Sequence, residues 1–371
     1  MRLRIAVAAA VTTVLGAGTA ALAAGRYGSR FALKPAAEGP APEGAVTVHS
    51  LTRDHVVLTR TGASARRGVY GLAADGTHAT AGEITGRTPY SVTRRLLRTQ
   101  EGALEPGTAV RVTPQAFTGD PRTALGLDFT DVEVPGDLGE LPAWYLPGDR
   151  ATWVITVHGF GATREQALSV LPALHRNRFP QLVLGYRGDP GAPASPDGIS
   201  HLGHTEWRDL DAAMRYAVEY GAERIVLFGW STGATMALRA LAESPVRDRV
   251  NGLVLDSPVL DWEATVRAAA EANGVPAALM PLTVRAAEGR TDPHPEQVAA
   301  MADPGRITVP TLLLHGPDDK LAPWAASREL AARRPELVVL HTVPGAPHAA
   351  MWNADPAAYE ETLRRFLTPL M

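Results

Sequence analysis

A serine hydroxyl becomes a nucleophile near neutral pH only when an imidazole takes its proton and a carboxylate steadies that imidazole. This chain carries all three side-chain types where that chemistry can be assembled. Ser231 lies in Gly229-Trp230-Ser231-Thr232-Gly233. Downstream come His315-Gly316-Pro317-Asp318-Asp319-Lys320 and then Pro344-Gly345-Ala346-Pro347-His348. Serine, acid, histidine is the order expected when each group sits just past a strand of one parallel sheet. The pentapeptide alone also fits an ordinary glycine-flanked turn, so the argument rests on what surrounds it.

The stretch from Arg224 to Ala240, RIVLFGWSTGATMALRA, begins apolar and β-favouring. It turns through the two glycines and continues in good helix formers. A strand thus runs into a tight bend that opens a helix. The flanking glycines relieve the crowding there. The new helix aims its free N–H groups and positive dipole end at the same place.

The other elements follow the same plan. Leu127-Val134 and Ala143-Leu146 read as two antiparallel strands joined through Pro135-Gly136. Trp153-Val157 is an apolar run ending in His158-Gly159-Phe160-Gly161, followed by a helix expected from Arg164 to Arg178. Leu182-Gly185 is the next strand, then a Gly- and Pro-rich loop over 187–204 and a helical repeat over 205–220. Leu253-Leu255, Thr311-Leu314 and Leu337-Leu340 read as further strands, and Pro356 to Leu367 as a last helix. This alternation implies an α/β fold, a mostly parallel sheet with helices on both faces. In such sheets function lies at the carboxyl ends of the strands, where the serine, acid and histidine groups all fall.

Composition narrows the field. The 371 residues suffice for a large core plus a smaller domain, and a net charge of −3 suggests no nucleic acid or polyanionic partner. With no cysteine, disulfides, thiolate catalysis and thiolate-bound metals are excluded. Arg2 and Arg4 precede a charge-free run over 5–25, and Ala21-Leu22-Ala23 fits a small-x-small cleavage site. Residues 1–25 therefore read as a cleaved signal peptide or a retained membrane anchor, either of which places the folded chain outside the cytoplasm. Residues 26–44 read as a linker and 45–115 as a small β-rich domain, with β-like pieces at Val46-Val48, Val56-Leu58, Val69-Leu72, Ser91-Leu97 and Ala109-Val112. His49, His55 and His78 in it read as surface or turn histidines rather than ligands.

From about residue 127 to the end the chain resembles the α/β-hydrolase family. The motifs are HGFG after an early strand, GWSTG at the bend, LLLHGPDD followed by Pro323, and GAPH near the end. The resemblance implies Ser231 as nucleophile, His348 as base and Asp319 as acid, with Asp318 the neighbour to test. YRGDPGAPASPDG followed by GHTEWRDLDAA resembles bacterial hydrolases of the esterase and prolyl-oligopeptidase-like branch. Residues 116–371 would form the hydrolase domain. On this fold the oxyanion donors are expected to be the backbone N–H groups of Thr232 and Phe160. His158 is expected to fix the Phe160 loop by hydrogen bonds.

Residues 259–303 interrupt the alternation, with helical stretches at Trp262-Ala272 and Pro295-Ala302 around an apolar patch from Val275 to Leu282. Inserted at the catalytic edge, they are expected to cap Ser231 and give an apolar acyl pocket. His201-x-x-His204 lacks a third ligand and reads as loop chemistry rather than a metal pair. Asp256, after a strand, is a displaced candidate for the acid. Tyr186 and Arg187 are candidates for the pocket wall or for structural hydrogen bonding, and Trp230 for packing. The expected activity is a serine hydrolase acting on a small-molecule ester or thioester. A peptidase on peptide substrates is the alternative, and a binding protein on the same fold the reading from another class. No cofactor and no metal are expected.

Overall fold

The computed structural model describes residues 46–272, 274–291 and 303–371. The expected export segment, the linker and the helix expected at Pro295-Ala302 lie outside the described residues.

Six strands open the described chain: β1 (Val46–Leu51), β2 (His55–Thr59), β3 (Tyr70–Ala74), β4 (Thr77–Arg87), β5 (Ser91–Glu101) and β6 (Ala109–Thr113). They close into a barrel in the order β1-β2-β5-β4-β3-β6. Closure leaves no unpaired edge, which a small sheet otherwise has to cover. Alternate residues point inward, so Val46, Val48, Val56, Leu58, Leu72, Ala79, Ala81, Val92 and Val110 make a core of their own. β4 was not expected as a strand, because its inward residues Ala79 and Ala81 are small and give no apolar alternation. Small inward residues are what a narrow barrel accommodates at its tightest contacts. Register shifts along β4 and β5 bend these two 11-residue strands around the barrel. His78 is buried rather than at the surface; its ring meets the Gln115 carbonyl at 3.0 Å.

A short helix, α1 (Pro121–Leu125), leads into the larger domain. Its strands are β7 (Thr130–Gly136), β8 (Gly139–Leu146), β9 (Thr152–Val157), β10 (Gln181–Leu184), β11 (Arg224–Trp230), β12 (Val250–Asp256), β13 (Thr311–His315) and β14 (Val338–Thr342). They form one sheet in the order β14-β13-β12-β11-β9-β10-β8-β7. The pairs from β14 to β10 are parallel, and β8 and β7 add an antiparallel edge. The β7–β8 hairpin turns at Asp137-Leu138, with Pro135 and Gly136 still inside the ladder.

The helices are α2 (Leu171–Arg176), α3 (Trp207–Glu219), α4 (Thr232–Glu243), α5 (Trp262–Ala272), α6 (Met280–Thr291), α7 (Trp324–Arg333), α8 (Met351–Ala354) and α9 (Pro356–Leu367). The helix expected over 164–178 divides into a 3-10 segment, Arg164–Ser169, and α2. Pro172 sits in the first turn of α2, where its missing N–H costs nothing; continuing the helix through it would clash one turn back. Two apolar clusters cover the two faces of the sheet. One holds Ile155, Leu227, Leu255 and Leu313; the other holds Val154, Val226, Val254 and Leu312. Both faces being buried explains why these strands read as continuous apolar runs.

Candidate active site

The bend after β11 is as tight as its glycines require. Ser231 has φ 52° and ψ −116°, a strained conformation for a residue with a side chain. A Cβ on Gly229 would lie 2.4 Å from the Gly233 backbone, and one on Gly233 would lie 2.3 Å from the Val157 carbonyl oxygen. Neither position accepts any side chain, so strand, bend and helix pack directly against β9. Ser231 N–H donates to the Asp256 carbonyl (2.9 Å), which pins the bend to the end of β12.

The structure brings Ser231, His348 and Asp319 into one line. His348 Nε2 is 2.8 Å from Ser231 Oγ, and His348 Nδ1 is 2.7 Å from Asp319 Oδ2. His315 Nε2 meets the same Asp319 oxygen at 3.0 Å, while Leu321 N–H and Ala322 N–H donate to its other oxygen at 2.8 and 2.9 Å. Burial alone would raise the Asp319 pKa. The His348 charge and the hydrogen bonds from His315, His348 and Ala322 outweigh it and hold the carboxyl well below the usual carboxylate range. Asp319 is thus an anion fixed in place, the partner an imidazole needs to take up a proton. Asp318 points elsewhere, accepting the Gly345 N–H at 2.7 Å.

The His158–Phe160 loop runs beside the serine. A Cβ on Gly159 would lie 2.9 Å from Ser231 Cβ, so only glycine lets the loop come this close. Gly159 N–H donates to Gln166 Oε1 (2.9 Å), and His158 bridges the Gly159 carbonyl (2.9 Å) and Asp189 (2.6 Å). Tyr186 stacks on the His158 ring at 4.3 Å. Phe160 N–H donates to Thr232 Oγ1 at 2.8 Å. The two residues singled out as oxyanion donors are therefore adjacent, and one donor is held by the other residue's hydroxyl.

The remaining candidates fall elsewhere. Asp256 is wholly buried; Ser257 Oγ and Tyr359 OH donate to it at 2.8 and 2.9 Å. Burial pushes its pKa up to about 7 despite those two bonds. His201 pairs with Asp197 at 2.9 Å, while His204 packs against Arg239, and burial with that cation pushes its pKa down to about 4. Among the described residues no group of three or more His, Asp or Glu is arranged to hold a metal ion. Arg187 makes a buried bidentate pair with Asp209 (2.8 and 2.5 Å) that ties the long loop to α3. Trp230 is core, stacked on Phe228 at 4.3 Å.

Sequence reasoning missed Ser257, Gln166 and Thr232 Oγ1 as parts of the site. Ser257 (φ 49°) and Ala349 (φ 52°) share the positive φ of Ser231, and Ala349 N–H donates to Ser257 Oγ at 3.0 Å. A serine one residue past a strand end was visible as a signal; its backbone conformation was not.

α5 and α6 follow β12 at the carboxyl edge. Trp262, Val266, Val284 and Ala287 form one apolar cluster with Ile199 and Leu202 of the long loop, and Phe160 packs against it. This cluster lies in the segment expected to cap Ser231 and touches Phe160, the residue beside Gly159; residues 292–302 of that segment lie outside the described residues. Among the described residues no helix is long and apolar enough to cross a membrane.

Comparison with known proteins bears on both domains. Residues 152–286 match the family model of the alpha/beta hydrolase fold, and residues 47–113 match that of a domain of unknown function, DUF8805. An uncharacterized protein, YfhR, of Escherichia coli O157:H7 is 23% identical over 257 residues, spanning 67% of this chain and 82% of that protein. The structure of an esterase from Pyrococcus furiosus, Pf2001, superposes with a TM-score of 0.56 at 23% identity, covering 68% of this chain and 94% of that one. Est1E of Butyrivibrio proteoclasticus, solved with ferulic acid bound, gives a TM-score of 0.50 at 18% identity over 64% of this chain and 98% of its own. At these identities the structural likeness speaks for the fold.

Proposed function

We propose that this chain, whose larger domain belongs to the α/β-hydrolase family, hydrolyses carboxylic esters or thioesters through an acyl-enzyme on Ser231. The single observation behind this reading is the unbroken hydrogen-bonded line from Ser231 Oγ through His348 to Asp319. His348 Nε2 takes the hydroxyl proton as Ser231 attacks the carbonyl carbon. Asp319 holds the imidazole in the tautomer with Nδ1 protonated and offsets its charge once formed. His348 then protonates the leaving alcohol or thiol. Water, deprotonated by the same imidazole, releases the acid and restores the serine.

The carbonyl oxygen gathers negative charge in both steps. Thr232 N–H, at the first position of α4, receives it with the helix dipole behind it. Phe160 N–H is the second donor, and the substrate oxygen takes the place of Thr232 Oγ1 there. Each such donor is worth on the order of 3 kcal/mol in an acyl-transfer transition state. The apolar cluster packed on Phe160, beside the second oxyanion donor, supports an acyl group over a peptide. The export-like pattern of residues 1–25 supports an activity outside the cytoplasm, secreted or at the membrane.

The test is Ser231→Ala with short-chain nitrophenyl esters and thioesters and a matched peptide amide. Ester turnover is expected to fall on the order of 10⁴-fold or more with thermal unfolding unchanged. A fluorophosphonate is expected to label the parent at Ser231 alone. Equal turnover by the variant would refute the mechanism. Faster cleavage of the amide would favour the peptidase reading, and a folded parent that takes no label would favour a binding protein.

A further inference from the structure

The segment that aims His348 is irregular from Val343 to Ala350, and Ala349 beside the base holds φ 52°. A side-chain-bearing residue stays in that conformation only when its surroundings over-determine it. The larger domain tethers it through Val343 N–H to the His315 carbonyl at 2.9 Å, Asp318 to Gly345 N–H at 2.7 Å and Ser257 to Ala349 N–H at 3.0 Å. The barrel adds a second set of bonds just past the base. Asn353, five residues past the base and 3% exposed, donates through Nδ2 to the Val69 carbonyl (2.7 Å) and the Pro114 carbonyl (2.8 Å). Val69 N–H donates back to the Asn353 carbonyl at 2.8 Å. Val69 precedes β3 and Pro114 follows β6, so one side chain stitches the ends of two paired barrel strands to the base segment.

The barrel side of this seam is rigid. Gly68 rests on Asn353 so closely that a Cβ there would lie 1.9 Å from its carbonyl oxygen. Arg94, buried inside the barrel, donates to the carbonyls of Ser64 (3.0 Å), Arg66 (2.7 Å) and Gly68 (2.6 Å), and across the strands to Gly82 (2.9 Å). Phe117, just after the barrel, packs on Trp352 with ring centroids 5.9 Å apart. A small cavity of about 30 Å³ at this seam reaches Trp230 and Ala349, the neighbours of nucleophile and base.

We propose that the barrel is a positioning part of the active site, with Asn353 as the residue through which its docking aims the His348 imidazole at Ser231. The inference rests on the Ser231 mechanism above. It makes the small domain a control point for turnover: whatever loosens its seat on the base segment slows proton transfer, even though no barrel residue touches the substrate.

The experiment uses the full chain, a nitrophenyl ester and a fluorophosphonate. Asn353→Ala removes both stitches from one side. Gly68→Ala forces the seam apart from the barrel side and alters no residue of the larger domain. Tyr90→Ala, at a hairpin residue 84% exposed, is the control. For both seam variants kcat is expected to fall about 10- to 100-fold with KM within about twofold, the size of loss that misplacement by about 1 Å produces. Labelling should go to completion at a rate reduced by the same factor, while the control matches the parent. Parent-like kcat in a folded seam variant would overturn the inference. So would incomplete labelling at the parental rate, which reports lost protein rather than a misaimed base. If neither variant folds, amide exchange in the parent decides. Residues 349–354 opening together with the barrel supports the inference, and their staying protected after the barrel amides have exchanged overturns it. A parent that neither turns over ester nor takes label fails the proposed function itself and is distinguishable from all of these.

Discussion

Two neighbouring strands of the sheet each lead to a buried aspartate, and the two carboxyl groups are put to opposite use. Asp256 closes β12 and Asp319 follows β13, and β12 and β13 are paired. Asp319 meets two imidazoles and two backbone N–H groups. Asp256 meets two hydroxyls and no cation in direct contact. Burial pushes both carboxyls toward the neutral form. Only at Asp319 do the partners outweigh it, so one is held as an anion while the other sits near about 7. Distance from His348 does not separate them cleanly, because the Asp256 network also reaches the His348 segment through Ser257 and Ala349. What separates them is the kind of group each one faces.

The comparison breaks most sharply if the anion is removed. Asp319→Asn keeps the shape but leaves the His348 ring with no carboxylate to choose its tautomer. Ester turnover is expected to fall on the order of 10⁴-fold, as in other triads that lose this charge. Asp256→Asn, measured beside it, is expected to stay within about tenfold of the parent. If the two losses came out equal or reversed, Asp256 would be the working acid. The pH at which the fold fails offers a second reading of Asp319. Its carboxyl is depressed, so its contribution to stability is present above the ordinary carboxylate range and is lost as pH falls below it.

Asp256 has the opposite sign. Between the ordinary carboxylate value of 3.8 and about 7 the folded chain holds a proton that the unfolded chain has released. Stability therefore declines as pH rises through that window and levels off above it. The full effect is about 4 kcal/mol, from about three pKa units at about 1.4 kcal/mol each. His204 works against it. Its pKa, lowered to about 4, gives stability that is lost as pH falls from its ordinary value of 6.5. The informative quantity is thus the difference between Asp256→Asn and the parent in urea unfolding. The variant is expected to gain on the parent steadily from pH 4 to pH 7, then run parallel. Parallel curves throughout would mean Asp256 is ionised in the fold.

Much of this was legible beforehand, and the limits were physical. The bend at Ser231 shows because a glycine pair, an apolar run and a helix-forming run coincide there. Asp319 and His348 show because both follow short apolar runs of strand length, although the run before His348 proves to be a largely exposed edge strand. Asp256 was visible as an acid past a strand, but its raised pKa comes from complete burial, which depends on packing by elements as distant in the chain as Tyr359, 103 residues further on. β4 was hidden because its inward positions are alanines, which report no periodicity strong enough to see. The helix over 164–178 was overdrawn because apolar spacing does not register that Pro172 must stand in a first turn. The barrel seam was illegible for a simpler reason: Asn353 is one polar residue in a helix of four, and nothing local marks what it will touch.

Asp318 gives the finest test, since it adjoins Asp319 in the chain yet makes neither set of contacts. It is exposed, and its one contact with the site is through the Gly345 N–H of the base segment. Asp318→Asn keeps an acceptor for that N–H and loses only a charge that water already screens, so kcat is expected to stay within about twofold. Asp318→Ala loses the tether as well, an exposed hydrogen bond worth about 1 kcal/mol, and kcat is expected to fall no more than about fivefold. The pair separates charge from tether. Were the Asn variant to match Asp319→Asn in its loss, the negative charge of the whole Asp318-Asp319 turn, rather than one oriented carboxylate, would be what the imidazole needs. The contrast between the two strand ends would then rest on total charge and not on aim.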